Sequence, residues 1–170
     1  SGELGWEFPM PNAACRPVYE ALSAPVPPHG LADYGSFAIN AMRMEKGFKG
    51  AGELTNEVTL VEADVTRFAS RDKAFFGSEH TFDPPRWLCT YLAIEPDGEV
   101  DGHGGEAVLK DGAVVGATAS VAYGPTVGKI LAFAYLTPEA ATPGTNLDVL
   151  IHGKPRAAKV LSAPAYDPES

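Results

Sequence analysis

The chain has 170 residues, enough for one ordinary domain or two small ones. Apolar residues make up 45% and exclude wholesale disorder, while 22 acidic against 13 basic residues leave a net charge of −9. That balance disfavours a phosphate-backbone binder and docking on anionic membranes.

The 18 glycines and 15 prolines follow no period, so turns and short strands are favoured over collagen-like order. No charge-free apolar run approaches the roughly 20 residues that cross a bilayer. Cys15 and Cys89 stand in no metal or redox spacing and are too few for a disulfide framework. Residues 1–7 lack the basic start and apolar stretch of a signal peptide, so the expected compartment is reducing, cytoplasmic or mitochondrial matrix.

In chain order, Leu4, Trp6 and Phe8 alternate with Gly5 and Glu7 and predict a half-buried strand. Cys15, Val18, Tyr19 and Leu22 share a helical face, with Pro17 expected in the first turn. The run Ala24 to Gly30 reads as a stiff loop. A second helix is predicted from about Asp33 to Lys46, with Gly47 as its C-terminal cap and Met42 and Met44 as core filling. Val58 to Phe68 reads as a strand with Glu62 and Asp64 on one face, a solvated face rather than a catalytic pair.

From Arg86 the texture turns to strands and tight turns. Trp87 to Ile94 is one strand. Ala107 to Lys110 and Ala113 to Val121 flank the hairpin signal Asp111-Gly112. Lys129 to Leu136 is apolar enough to be buried on both faces. Leu147 to Ile151 and Ala157 to Ser162 are joined by the turn His152-Gly153-Lys154-Pro155. These strands predict a small antiparallel barrel, and Asp83-Pro84-Pro85 places a boundary between residues 1–80 and 86–170.

The residues alone spell no complete catalytic set. His29, His80, His103 and His152 fall in or beside loops without metal-ligand spacing. Asp101 to Glu106 is glycine-rich but lacks the Lys-Ser/Thr of a phosphate loop, and reads as flexible. Cys89 reads as inert core, and no serine sits in a nucleophile elbow.

Several stretches taken together resemble the folate-dependent aminomethyltransferases, the glycine-cleavage T-protein family. They are Ser1-Gly2-Glu3-Leu4-Gly5-Trp6-Glu7, Ser36 to Gly47 with Glu53-Leu54-Thr55 and Glu62-Ala63, and Lys73-Ala74-Phe75-Phe76-Gly77. Val115 to Thr118, Tyr123-Gly124-Pro125, Leu131 to Tyr135 and Pro164 to Pro168 continue the resemblance in the barrel. Arg43-Met44-Glu45-Lys46-Gly47 is most similar to the carboxy-terminal part of dimethylglycine and sarcosine dehydrogenases. Ile39 replaces a folate-contacting arginine of the T-proteins, and Arg67 stands where they tend to carry an aromatic residue near the folate.

The resemblance implies an α+β fold, the end of an antiparallel-sheet folate-binding domain followed by a β-barrel. It implies passage of a one-carbon unit from an N-methyl amine to tetrahydrofolate. The flavin (FAD) belongs to an upstream domain or partner chain, and the family's catalytic aspartate lies outside these residues. The family's folate-binding glutamate matches Glu3, since an ionised carboxylate can accept from both donors of a pterin edge. Arg43 is expected to pair with a carboxylate and tie its helix to adjoining loops. Lys46 suits the helix dipole. The expected partners are the amino-terminal remainder of the enzyme, or a subunit supplying it, and folate; neither nucleic acid nor membrane is expected. Two competing readings are a non-catalytic assembly module and part of a glycine-cleavage T-protein.

Overall fold

The computed structural model of the chain describes residues 4–24, 30–98 and 101–167. Helices α1 (Asn12–Ser23) and α2 (Ser36–Glu45) and a single 3-10 turn (Thr66–Phe68) come first. Six strands follow: β1 (Leu88–Ile94), β2 (Ala107–Lys110), β3 (Ala113–Gly124), β4 (Lys129–Leu136), β5 (Asn146–Ile151) and β6 (Lys154–Val160). They close into the expected antiparallel barrel in the order β1-β4-β3-β2-β5-β6, with β6 returning to β1 through Leu92 opposite Val160. Among the described residues no helix is long and apolar enough to cross a membrane.

The barrel interior follows from strand alternation. Ile130, Ala132, Ala134 and Leu136 of β4 point inward to meet Leu92, Ile94, Val108, Val121, Val149 and Val160. The alternate residues Leu131 and Phe133 point outward and pack with Met44 of α2 and Cys89. Both faces of β4 are therefore covered, which is why its sequence is almost wholly apolar. Asp111 and Gly112 both have positive φ, 51° and 81°, as the two-residue β2–β3 turn requires.

α2 ends where the sequence predicts. Gly47, at φ 67°, lets its N–H reach the Met44 carbonyl at 3.0 Å, while Phe48 N–H reaches the Arg43 carbonyl at 2.8 Å. This pairing is the Schellman closure that a left-handed glycine makes possible.

Four local expectations need correction. Leu4 to Phe8 forms no strand, because no described strand lies beside it; Leu4 and Trp6 are 90% and 81% exposed. Pro17 sits inside α1 rather than in its first turn. Val58 to Phe68 is a chain of turns ending in the 3-10 turn. Thr59 and Glu62 instead form a reciprocal cap: Thr59 N–H donates to Glu62 at 2.9 Å and Glu62 N–H donates to Thr59 Oγ1 at 3.1 Å. Finally, the β5–β6 turn is only His152-Gly153, since Lys154 and Pro155 already pair with Ile151 and Leu150.

Candidate functional site

The end of α2 is fixed to the outer face of the barrel by buried polar contacts. Glu45 accepts from Thr126 N–H at 2.7 Å and from Thr126 Oγ1 at 2.9 Å, clamping α2 to the β3–β4 turn. Tyr91 of β1 donates to the Met44 carbonyl, and Tyr135 of β4 donates to the Glu53 carbonyl at 2.6 Å. Arg43 binds Glu53 at 2.8 Å, Asn40 at 2.9 Å and the Phe48 carbonyl at 3.0 Å, so it ties helix to loop as expected. Glu53 is fully buried, and Gly50 N–H donates to the same carboxylate oxygen at 2.6 Å. These two contacts both fall on Oε2 and offset part of the cost of removing the acid from water, while Oε1 is buried with no hydrogen-bond partner among the described residues.

Between this seam and the barrel lies an open cleft of about 760 Å³. Phe48, Leu54, Phe68, Leu88, Tyr91 and Phe133 give it apolar and aromatic lining. Its charged lining is Lys46, Lys49, Arg67, Asp64 and Asp167. Lys49 Nζ bonds the Asp64 carboxylate at 3.0 Å and its carbonyl at 3.2 Å. Lys46 reaches Asp167 at 3.3 Å. Burial pushes the Cys89 thiol up to about 12, and burial likewise pushes the Tyr91 hydroxyl up to about 12. Both groups keep their protons at neutral pH. The cleft thus sets aromatic walls beside charged side chains, and its Cys89 thiol and Tyr91 phenol are not activated.

The other expected site residues divide. Glu3 lies outside the described residues. Glu62 and Asp64 do not share a face: Glu62 is buried and Asp64 is exposed at φ 54°. Burial would raise the Glu62 carboxyl, but Thr59 and Arg86 N–H groups and the Arg86 charge outweigh it and hold it below the usual range. The expectation of a solvated Glu62 was thus wrong, because a capping box and an arginine 24 residues on satisfy it. His80 and His152 sit in turns and His103 in a loop, while His29 lies outside the described residues. Among the described residues no three His, Cys, Asp or Glu side chains come together as a metal site.

The glycine-rich loop is pinned rather than flexible. Glu106 accepts from the N–H groups of His103 at 2.7 Å and Gly104 at 3.0 Å, so the loop's own carboxylate fills the place an anion would take. Gly104, at φ 103°, lies so near β3 that a Cβ there would stand 2.4 Å from the Ala119 carbonyl oxygen. Sequence reasoning missed Glu53 as a buried acid. Its partners give little local signal: Gly50 donates through its backbone N–H, and Gly52 is a glycine because a Cβ there would stand 2.5 Å from Ser120 Oγ.

Comparison with known proteins divides the chain into two matches. Residues 1–73 match the GCVT N-terminal domain, and residues 89–167 match the glycine cleavage T-protein C-terminal barrel domain. The chain is 30% identical to mitochondrial dimethylglycine dehydrogenase of Mus musculus, over 96% of this chain and 20% of that protein. It is 32% identical to mitochondrial sarcosine dehydrogenase of Mus musculus, over 99% of this chain and 20% of that protein. It therefore spans about a fifth of the length of these curated relatives. In three dimensions it resembles the glycine cleavage system aminomethyltransferase T of Bartonella henselae. The TM-score is 0.77 at 20% identity, covering 91% of this chain and 44% of that one.

Proposed function

Since the chain belongs to the glycine-cleavage T-protein family, we propose that it is the carboxy-terminal portion of a folate-linked demethylating enzyme. That enzyme passes a one-carbon unit from an N-methyl amine, such as dimethylglycine or sarcosine, to tetrahydrofolate. The observation carrying this reading is the likeness to dimethylglycine and sarcosine dehydrogenases along nearly the whole chain.

The residues present fit a folate better than a flavin. A dinucleotide-type cofactor calls for a parallel strand–turn–helix unit. Among the described residues every strand pairing is antiparallel, and FAD is assigned to an upstream domain or a partner chain. Tetrahydrofolate, when bound, supplies the nitrogens that take up the one-carbon unit. Glu3 would hold the pterin edge by accepting its two donors, and the aromatic walls of the cleft suit a planar molecule. These residues bind and orient, and any proton transfer belongs to groups outside them.

The apolar side chains of Leu4, Trp6, Phe8, Phe37 and Phe76 are all exposed. They suit cover by the amino-terminal remainder of the same enzyme or by a subunit supplying it. Of the two expected settings, cytoplasm or mitochondrial matrix, the names of the mouse relatives, which say mitochondrial, favour the second. The test uses the full native polypeptide with sarcosine or dimethylglycine, following formaldehyde release with and without tetrahydrofolate. Capture predicts that tetrahydrofolate suppresses free formaldehyde. Equal release in both conditions contradicts the reading. Aminomethyl transfer without any amine oxidation would instead assign the chain to a glycine-cleavage T-protein.

A further inference from the structure

Three residues of the cleft wall, Phe48, Lys49 and Leu54, belong to the loop that follows α2. The loop is neither helix nor strand, so side chains must set its shape. Phe48 is held at both of its peptide groups by one residue. Its N–H donates to the Arg43 carbonyl at 2.8 Å, and its carbonyl accepts from Arg43 Nη1 at 3.0 Å. The same Nη1 donates to Glu53 Oε2 at 2.8 Å, while Arg43 Nε donates to Asn40 at 2.9 Å. Asn40 is anchored in turn to the barrel, its Nδ2 reaching the Val121 carbonyl of β3 at 3.3 Å. A planar guanidinium fixes direction as well as charge. Phe48 is therefore registered against both α2 and β3.

Glu53 gathers the rest of the loop. Its Oε2 accepts from Gly50 N–H at 2.6 Å, and the Gly50 carbonyl accepts from Glu53 N–H at 3.1 Å and Leu54 N–H at 2.9 Å. Gly50 lies against the guanidinium, since a Cβ there would stand 3.3 Å from Arg43 Nη1. Neither Arg43 nor Glu53 lines the cleft, and their side chains are only 16% and 0% exposed. The pair is the hidden core of the wall. Neutralising Glu53 would need only a positive charge, whereas Arg43 also grips the carbonyl of an aromatic residue that faces the cleft.

We propose that Arg43 is a positioning residue for the cleft: without touching the ligand, it sets where Phe48 stands and so the affinity for a flat aromatic ligand. The choice of tetrahydrofolate as that ligand rests on the folate reading above; the geometry of the wall does not. A wall ordered before binding spares the complex the entropy of ordering it, and a loosened wall takes that entropy out of the affinity.

The experiment uses the full native polypeptide, Arg43→Met, and the double variant Arg43→Met with Glu53→Gln, with circular dichroism to confirm folding. Urea unfolding, calorimetric titration with tetrahydrofolate and amide hydrogen exchange are measured on the same preparations. The double variant leaves no buried charge alone, so it should regain part of the urea midpoint that the single variant loses. Its tetrahydrofolate affinity should nevertheless stay about 10-fold below wild type, because nothing donates to the Phe48 carbonyl. Exchange over residues 47–54 should be faster in the double variant than in wild type, while the barrel strands keep their protection. Affinity regained in step with the midpoint overturns the proposal and reduces Arg43 to a counter-charge for Glu53. Absence of tetrahydrofolate binding in the wild type removes the folate reading instead, and exchange then decides alone. In that case faster exchange over residues 47–54 upholds the role of Arg43 in shaping the wall, and unchanged exchange overturns it.

Discussion

The barrel and the residues before it solve the burial problem in different ways. The barrel buries an interior of its own: Leu92, Ile94, Ile130, Leu136 and Ile151 are each at most 2% exposed and touch one another through six mutually closed strands. The earlier region buries little apolar surface. What it buries is a set of polar and charged groups, Glu45, Glu53 and Glu62, together with Met44 and Ala63. Its large apolar side chains, Phe37 at 91% among them, remain on the outside. α1 contributes no buried residue at all. A closed sheet is stabilised by non-directional burial, whereas α2 and the loop after it are held in place by directional contacts made at their seam with the barrel.

That contrast can be broken at its most costly point, Arg43. Arg43→Met leaves Glu53 fully buried without its cation, and should cost about 3–5 kcal/mol in urea unfolding. The paired change Arg43→Met with Glu53→Gln should recover part of this, since no buried charge is left alone. A loss below about 1 kcal/mol for the single variant would show that the seam does not depend on the pair.

Within the barrel the comparison predicts an ordinary cavity cost. Leu92→Ala should destabilise by about 2–5 kcal/mol, measured by the same unfolding. If it were neutral, the barrel would not be an independent core.

The pH response sharpens the comparison further. The Cys89 thiol, at 9.0 when unperturbed, is pushed up to about 12 by burial between barrel and α2. Above about pH 9 the unfolded chain releases this proton while the folded chain keeps it. Stability should therefore fall between about pH 9 and 12, by up to about 1.4 kcal/mol per pH unit. Cys89→Ala should flatten that slope, and an unchanged slope would assign the loss to other groups. Glu62 and Glu106 act at the other end, because both are held below the ordinary carboxylate value of 4.5. Their contribution is present above that value and is lost as pH falls through the lower folded values.

The smallest effect is expected at the exposed face. Phe37→Ala in this chain should change stability by less than about 0.5 kcal/mol. A loss of several kcal/mol would show that Phe37 is already covered.

Legibility in the sequence follows the same division. The barrel could be read almost strand by strand, because alternation, the doubly covered run of β4 and the Asp111-Gly112 turn are local signals. Gly47 announced the end of α2 for the same reason. The seam was hidden because its partners are distant in sequence: Glu45 meets Thr126, 81 positions on, and Glu62 meets Arg86. Glu62 did leave one local trace, the Thr-x-x-Glu spacing from Thr59, which the strand reading of residues 58–68 overrode. Leu4, Trp6 and Phe8 misled in the other direction. Their alternation encodes a strand, and a strand forms only where a neighbour supplies its hydrogen bonds.

The central claim, that this chain supplies carboxylate recognition of a folate, is tested most directly at Glu3. Calorimetric titration of the full native polypeptide with tetrahydrofolate should compare wild type with Glu3→Gln. An amide offers one acceptor and one donor to an edge that presents two donors. The account predicts affinity weakened about 10- to 150-fold, equivalent to roughly 1.5–3 kcal/mol. Equal affinity in the two proteins would contradict it.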